Sequence, residues 1–390
     1  MKFEVKTKQL RDAIGVVSKA VSKESKTDAL RGILLHATEK GLQLTGYNGE
    51  FAFCHVIPSE IEGEIYVDNI TPGKIILPQV YLQQIISKLR GDTVKIETKP
   101  NFQAIISSES IGGSKKKAVP SIHDLAGLDP ESYPILPKIG KEDSFKVPCD
   151  VLKLAMKETL IAVATEAIHR PILTGVHFKL ESNLLDVIAT DAHRLASRKV
   201  IINQEVEPFD MVVPGSSLKE LVKVLPDTNS EADIYFNKNY MVVTFDRTTF
   251  MTRLLEGTFP DTSRVIPQNF CTTIKVNVDE MLYAVNSCNI FKENGKTVIK
   301  LMTSHEEELI KLVAFEKQIG KAEETLIYEE GEGDPITINF NAKYMKEALE
   351  AVSGENKVII SFSGSNLPFI IKPENRDDIT HVILPIRMGS

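Results

Sequence analysis

Leu82-Gln83-Gln84-Ile85-Ile86-Ser87-Lys88-Leu89 decides the fold, because the chain repeats its pattern twice more. Leu82, Ile85, Ile86 and Leu89 are apolar at i, i+3, i+4 and i+7, which puts them on one face of a helix. Leu218, Leu221, Val222 and Leu225 have the same spacing, as do Met345, Ala348, Leu349 and Val352. Each helix leads into a polar turn (Arg90-Gly91-Asp92, Pro226-Asp227-Thr228, Ser353-Gly354-Glu355) and then a strand-like run (Val94 to Glu97, Ala232 to Phe236, Lys357 to Phe362). The repeat spacing of about 130 residues is that of a domain and not of a solenoid unit.

An earlier helix belongs to each unit. Its faces at the same spacing are Leu10, Ala13, Ile14 and Val17; Leu152, Ala155, Met156 and Thr159; and Met281, Ala284, Val285 and Cys288. A short alternating strand precedes each one: Phe3-Glu4-Val5, Phe145-Lys146-Val147 and Ile274-Lys275-Val276. Between the two helices lie strand pairs such as Ile33–Leu35 with Leu42–Leu44, and Val176–Phe178 with Leu185–Val187. The reading is an α+β protein of three similar domains, each with two helices and antiparallel sheets. The expected boundaries are 1–138, 139–266 and 267–390.

Composition narrows the function. Of 390 residues, 42% are hydrophobic and 25% charged, as in an ordinary globular protein. No apolar run approaches the roughly 18–20 residues that span a bilayer. The opening Met1-Lys2-Phe3-Glu4-Val5 is a strand pattern and not a signal peptide, so a cytoplasmic location with no membrane partner is expected. Cys54, Cys149, Cys271 and Cys288 are scattered with no C-x-x-C pair. That excludes a disulfide framework or thiolate zinc site and predicts small buried apolar residues.

The net charge of −7 argues against a general nucleic-acid binder, but the charge is segregated. At helical spacing, Lys8, Arg11, Lys19 and Lys23 fall opposite Leu10, Ile14, Val17 and Val21. The other helices add Lys88 and Arg90, Lys153 and Lys157, Lys219 and Lys223, and Lys343 and Lys346. Acidic residues crowd into strand and loop context at Glu306-Glu307-Glu308, Glu323-Glu324 and Glu329-Glu330. A basic helical surface suits the phosphate backbone without reading bases. Lys and Arg on solvated helix faces are also ordinary, and Glu158, Glu220, Glu347 and Glu350 share these helices.

Chemistry has one candidate. Asp191 and His193 in Thr190-Asp191-Ala192-His193-Arg194-Leu195 have the residue types of metal ligands or an acid–base pair. No further ligand-spaced motif completes them, and Asp191 after an apolar run suits a turn. Ile111-Gly112-Gly113-Ser114-Lys115 lacks the spacing of a phosphate loop and is expected to be a flexible basic loop. Glu330-Gly331-Glu332-Gly333-Asp334 is expected to be an acidic turn and not a dinucleotide fingerprint. No cofactor and no metal is expected. A metal-dependent hydrolase built on Asp191 and His193, and a monomeric peptide-binding adaptor, stay open as alternatives.

Four stretches resemble the bacterial sliding clamps, the β subunits of DNA polymerase III. They are Met1-Lys2-Phe3, Ala189-Thr190-Asp191-Ala192-His193-Arg194-Leu195-Ala196, Leu255-Glu256-Gly257-Thr258-Phe259-Pro260-Asp261 and Val382-Ile383-Leu384-Pro385-Ile386-Arg387. The resemblance implies the DNA clamp fold and a ring-shaped head-to-tail homodimer, with helices around the hole and sheets outside. It implies a non-enzymatic processivity factor that encircles duplex DNA without sequence preference. Its implied partners are a second copy of the chain, the polymerase III catalytic subunit, the clamp loader, and other polymerases and repair proteins that carry clamp-binding peptides.

It also implies a peptide pocket walled by Leu173, Thr190, His193, Arg194, Leu195, Pro260, Val265, Val382, Leu384, Pro385, Ile386 and Arg387. In that pocket apolar residues anchor Leu or Phe side chains, while His193 and Arg194 orient the peptide. On the family's pattern, Lys8, Arg11, Lys19, Lys23, Lys88, Arg90, Lys219, Lys223 and Arg264 are the expected DNA-facing cations. Two departures stand out. Ala192 replaces a common glycine, and the stretch from Ile111 to Asp124 is longer and more polar than the family's.

Overall fold

The computed structural model describes residues 1–22, 24–112, 117–140, 144–166, 169–292 and 296–387. Lys23 and Gly113–Lys116 therefore lie outside the described residues. Six α-helices occur among those described: α1 (Thr7–Val17), α2 (Gln79–Lys88), α3 (Cys149–Leu160), α4 (Gly215–Val224), α5 (Val278–Cys288) and α6 (Ala342–Ala351). These are the expected three pairs. Their apolar faces are buried as the spacing requires: Leu10, Ala13, Ile14 and Val17 in α1, Met281, Ala284, Val285 and Cys288 in α5, and Met345, Ala348 and Leu349 in α6. Asn277 and Asn341 cap α5 and α6 by accepting from the backbone N–H of Glu280 and Lys343.

The chain folds as two compact units. Unit one is Met1–Asp150 with Lys223–Leu254, and unit two is Val151–Val222 with Leu255–Ser390. In unit one, a five-stranded sheet runs in the order Lys117–Ala126, Gln103–Gly112, Thr93–Lys99, Lys2–Lys6, Val67–Thr71. An eight-stranded sheet joins Phe145–Pro148 and the strands from Glu231 to Arg253 onto the strands of residues 32–78. The seam is the antiparallel pair Thr248–Arg253 with Phe51–Pro58, where Phe250 faces Phe53 with ring centroids 5.0 Å apart. Both rings are fully buried. Such a ring pair adds about 0.5–1.5 kcal/mol beyond the area it buries.

Unit two has the corresponding construction. Its nine-stranded sheet runs Phe209–Pro214, Gly175–Glu181, Leu184–Thr190, Arg194–Ile201, Ile379–Ile383, Phe369–Pro373, Lys357–Phe362, Thr272–Asn277, Glu330–Gly333. The seam here is Arg194–Ile201 against Ile379–Ile383, with Leu195 opposite Val382. A four-stranded sheet follows the order Gly320–Ile327, Leu309–Glu316, Val298–Ser304, Thr337–Asn341. Continuous hydrogen bonding across the seams explains why the compact units cut through the middle repeat.

Several expectations need correction. The α1 helix ends at Val17 and tightens into a 3₁₀ turn at Ser18–Ala20, so Lys19 lies beyond its stripe. Helix ends commonly tighten this way to satisfy orphan carbonyls. In α3, Leu152, Lys153, Ala155, Met156, Glu158 and Thr159 are all buried, so Lys153 and Glu158 do not stand on a solvated face. Glu330–Gly333 is an edge strand and not a turn. It pairs with Thr272–Asn277, and Gly331 lies so close to the Tyr328 ring that a Cβ would sit 2.4 Å from it. Ile111 and Gly112, expected in a loop, end the strand Gln103–Gly112, which pairs antiparallel with Lys117–Ala126, while Gly113, Ser114 and Lys115 of that expected loop lie outside the described residues. Cys271 is exposed, although Cys149 and Cys288 are buried.

Candidate functional site

The site grows from the C-terminal strand of unit two. After Ile383 the chain leaves the nine-stranded sheet. The Leu384 N–H donates to the His193 carbonyl at 3.0 Å, and the Ile386 N–H donates to the Asn339 carbonyl at 2.7 Å. The segment Leu384-Pro385-Ile386 is thereby pinned between the turn at residues 191–193 and the strand Thr337–Asn341. Beside it opens a cleft of about 680 Å³. His193, Leu384, Pro385 and Ile386 line it, with Phe291, Val298, Val313, Phe315 and Tyr344 as apolar wall and Lys296, Lys300, Asn339 and Asn341 as polar groups.

Asp191 organises the turn below this cleft. Its Oδ1 accepts from the backbone N–H of His193 at 2.9 Å and of Arg194 at 3.0 Å, while Oδ2 accepts from Arg194 Nε at 3.1 Å. Thr190 Oγ1 donates to the Arg194 carbonyl at 2.6 Å and accepts from the Ala192 N–H at 3.1 Å. Both side chains are therefore consumed in holding a tight turn, with Ala192 at φ +73°. A carboxylate engaged by three donors has little left for a cation or a water. Among the described residues no group of three or more His, Cys, Asp or Glu side chains could hold a metal ion.

Arg194 is a structural pillar. It is 7% exposed, pairs with Asp191 and Glu347, and lies over the Tyr344 ring. Burial pushes the Tyr344 phenol above its ordinary value, with Asp191 adding to the effect. The phenol therefore remains a neutral hydrogen-bonding group on the cleft wall. Arg194 is not among the residues lining the cleft but lies over Tyr344, which is.

The remaining expected wall residues divide into two groups. Leu173, Leu195 and Val382 are at most 4% exposed and form a core cluster with Ile188, Val212, Phe259 and Ile370. Pro260, Val265 and Arg387 are exposed and do not line the 680 Å³ cleft. The sequence reading missed Phe291, Val298, Val313, Phe315 and Tyr344. One signal pointed to them: Leu309-Ile310-Lys311-Leu312-Val313-Ala314-Phe315 is apolar on both faces of a strand, and Phe315 is 62% exposed.

The expected DNA-facing cations mostly lie at the surface. Lys8, Lys19, Lys88, Arg90, Lys219, Lys223 and Arg264 are exposed. Arg11 is exposed too, but its guanidinium donates to the carbonyls of Ile86 (3.3 Å) and Leu89 (3.5 Å), satisfying the C-terminal end of α2. Arg264 lies 3.9 Å from Asp261.

Comparison with known proteins matches this architecture along the whole chain. The family models of the DNA polymerase III β subunit match as its N-terminal domain at residues 1–137, its central domain at 146–261 and its C-terminal domain at 263–387. The β sliding clamp of Staphylococcus epidermidis is 35% identical over 388 residues, covering 99% of each chain. That of Staphylococcus aureus is 34% identical over the same length and shares. The crystal structure of the DNA polymerase sliding clamp from Bacillus subtilis superimposes with a TM-score of 0.92 at 34% identity, covering 100% of each chain. The chain belongs to the DNA polymerase III β subunit family, the bacterial sliding clamps.

Proposed function

We propose that this chain is a DNA sliding clamp: a non-enzymatic processivity factor that encircles duplex DNA and tethers replication proteins to it. The observation that carries the reading is the full-length family match together with a peptide-sized apolar cleft beside Leu384-Pro385-Ile386. The three domains are 1–138, 139–266 and 267–390. Topology holds the protein on DNA, so the contacts to phosphate can be weak and sequence-independent. Exposed Lys8, Lys19, Lys88, Arg90, Lys219, Lys223 and Arg264, with Arg11 and Lys23, form the DNA-facing set.

A ring needs two copies arranged head to tail. Among the described residues, Lys117–Ala126 and Gly320–Ile327 each end a sheet with an unpaired edge. Val119 and Ile122 are exposed on the first, and Ile319 and Ile327 on or beside the second. Edge-to-edge pairing between copies buries these groups, and two such heterologous contacts close the ring. The proposed peptide site joins this cleft with Leu173, Thr190, Leu195, Pro260, Val265, Val382 and Arg387, and takes peptides from the polymerase III catalytic subunit, the clamp loader, other DNA polymerases and repair proteins. The place of action is the cytoplasm. No helix among the described residues is long and apolar enough to cross a membrane.

The test is retention on circular against linearised DNA in high salt, after loading with a cognate clamp loader and ATP. Phosphate contacts weaken steeply with salt, whereas a topological link does not. Retention on the circle with loss from the cut DNA is the expected result. Equal salt-sensitive loss from both, with an active loader, would move the monomeric adaptor to first place.

A further inference from the structure

We infer that His177 is a positioning residue for the peptide site: it fixes the Phe259 ring from beneath, and through that ring it fixes the wall residue Pro260. The inference rests on the proposed peptide site and names a residue that acts on it without lining it.

Pro260 stands in a stretch, residues 254–260, that is neither helix nor strand. At one end of it the Leu255 N–H donates to the Val212 carbonyl at 2.9 Å. Beyond its other end the Val265 N–H closes a turn on the Thr262 carbonyl at 3.0 Å. Between them Gly257, at φ +122°, leaves the backbone free to adopt several paths. Of residues 256–261, Phe259 alone is buried, at 7% exposure. The place of Pro260 therefore follows from what holds the Phe259 ring.

One face of the nine-stranded sheet holds it. Strand register sets His177 opposite Ile188 on one side and Val212 on the other, and both of these pack in one apolar cluster with Phe259. The His177 ring stacks on the Phe259 ring, with centroids 4.6 Å apart and planes 22° apart. The imidazole is itself tethered, because its Nε2 lies 2.8 Å from Asp210 Oδ1 on the neighbouring strand Phe209–Pro214. His177 is 7% exposed, and among the described residues its Nδ1 has no hydrogen-bond partner. A buried ring nitrogen without a partner is unfavourable, and an aliphatic side chain of similar size would fill the place without that penalty. What the imidazole adds is a flat face whose orientation Asp210 sets. Phe259 docks on that face in one orientation, where an aliphatic surface would let it slide.

The experiment uses the full-length protein and a labelled peptide with Leu and Phe anchors, its affinity read by fluorescence polarisation. His177→Ala should bind the peptide about two- to tenfold more weakly, the size of an aromatic stack. Pro260→Ala should also weaken binding. The double variant should bind no more weakly than the weaker single one, because both changes spoil the same wall. Asp210→Asn still offers an oxygen to the imidazole and should bind like the unaltered protein, whereas Asp210→Ala should lose part of the affinity. The two Asp210 variants carry the test if His177→Ala does not fold. Unchanged affinity in a folded His177→Ala or in Asp210→Ala, or losses that multiply in the double variant, overturns the inference while leaving the peptide site standing. Failure of the peptide to bind the unaltered protein, or undiminished binding to Leu384→Asp, overturns the peptide site and this inference with it.

Discussion

The Arg194 guanidinium lies over the Tyr344 ring, its Cζ 4.4 Å from the ring centroid. Arg194 starts the strand that forms the seam of the nine-stranded sheet, and Tyr344 stands in the first turn of α6. The stacking ties the turn of the T-D-A-H-R-L motif to the wall of the cleft. Glu347, one helical turn after Tyr344, completes the clasp by pairing with the same guanidinium.

Replacing Arg194 by Ala leaves Asp191 and Glu347 without their shared cation, and Asp191 is largely shielded from water. Breaking a buried pair from one side costs about 3–5 kcal/mol. Urea denaturation should show a loss of that order. Arg194→Lys keeps the charge but not the planar fork or the stacking, so it should fall between the two proteins. Peptide affinity should fall in both variants. An Arg194→Lys protein with unchanged stability and affinity would remove the pillar role.

Leu384→Asp tests the cleft itself. Its side chain lines the cleft while its backbone N–H holds the His193 carbonyl, a bond that the substitution keeps. A charge there must be desolvated when an apolar anchor docks. Truncating a central anchor residue typically costs about 2 kcal/mol or more, and a charge should cost more still. Peptide binding should be lost while sedimentation shows the same assembly as the unaltered protein.

Ala192 has φ +73°, a left-handed conformation in which a Cβ costs roughly 1–2 kcal/mol. Glycine removes that strain but has more freedom to lose on folding, about 0.4–1 kcal/mol. Ala192→Gly should therefore stabilise the protein by up to about 1 kcal/mol, seen as a higher urea midpoint with unchanged slope. A destabilised variant would show that the Cβ packs against something worth more than the strain.

His381 makes stability depend on pH. It is 1% exposed, neither ring nitrogen has a hydrogen-bond partner among the described residues, and burial, with Arg194 and Arg376 nearby, holds its imidazole down to about 3. The folded state therefore keeps it neutral while the unfolded chain protonates near pH 6.5. Between those values the unfolded state binds one more proton, so stability falls as pH falls, by roughly 1.4 kcal/mol per unit. Above pH 6.5 the group contributes no slope. His381→Leu removes the titration. The stability difference between the two proteins should shift toward the variant by roughly 2 kcal/mol from pH 6.5 to pH 5 in urea titrations. A constant difference would show that His381 is not the titrating group.

Lys19→Glu with Lys88→Glu probes the DNA-facing set. Both side chains are exposed. If each lysine neutralises a phosphate, the salt slope of binding should drop by about one for each lysine replaced, and residence on circular DNA should shorten. Unchanged loading and residence would take these two residues out of the set.

The sequence by itself determined the helices, the strands that flank them and their threefold order. Those features follow from apolar periodicity, a local property that burial on one face enforces. The T-D-A-H-R-L and E-G-T-F-P-D strings also carried the family. The tertiary structure alone decided where one domain's sheet ends and the next begins. The pairings of Phe250 with Phe53 and of Leu195 with Val382 join residues far apart in the chain, and no local pattern encodes them. It also decided which apolar residues are core and which are cleft. Leucine at 173, 195 and 384 looks alike in sequence, yet the first two are buried and the third borders open space. The difference arises because Leu384 follows the point where the chain leaves one sheet for the edge of another. The role of Arg194 has the same origin: Glu347 and Tyr344, from a helix far along the chain, meet the guanidinium that Asp191 already holds.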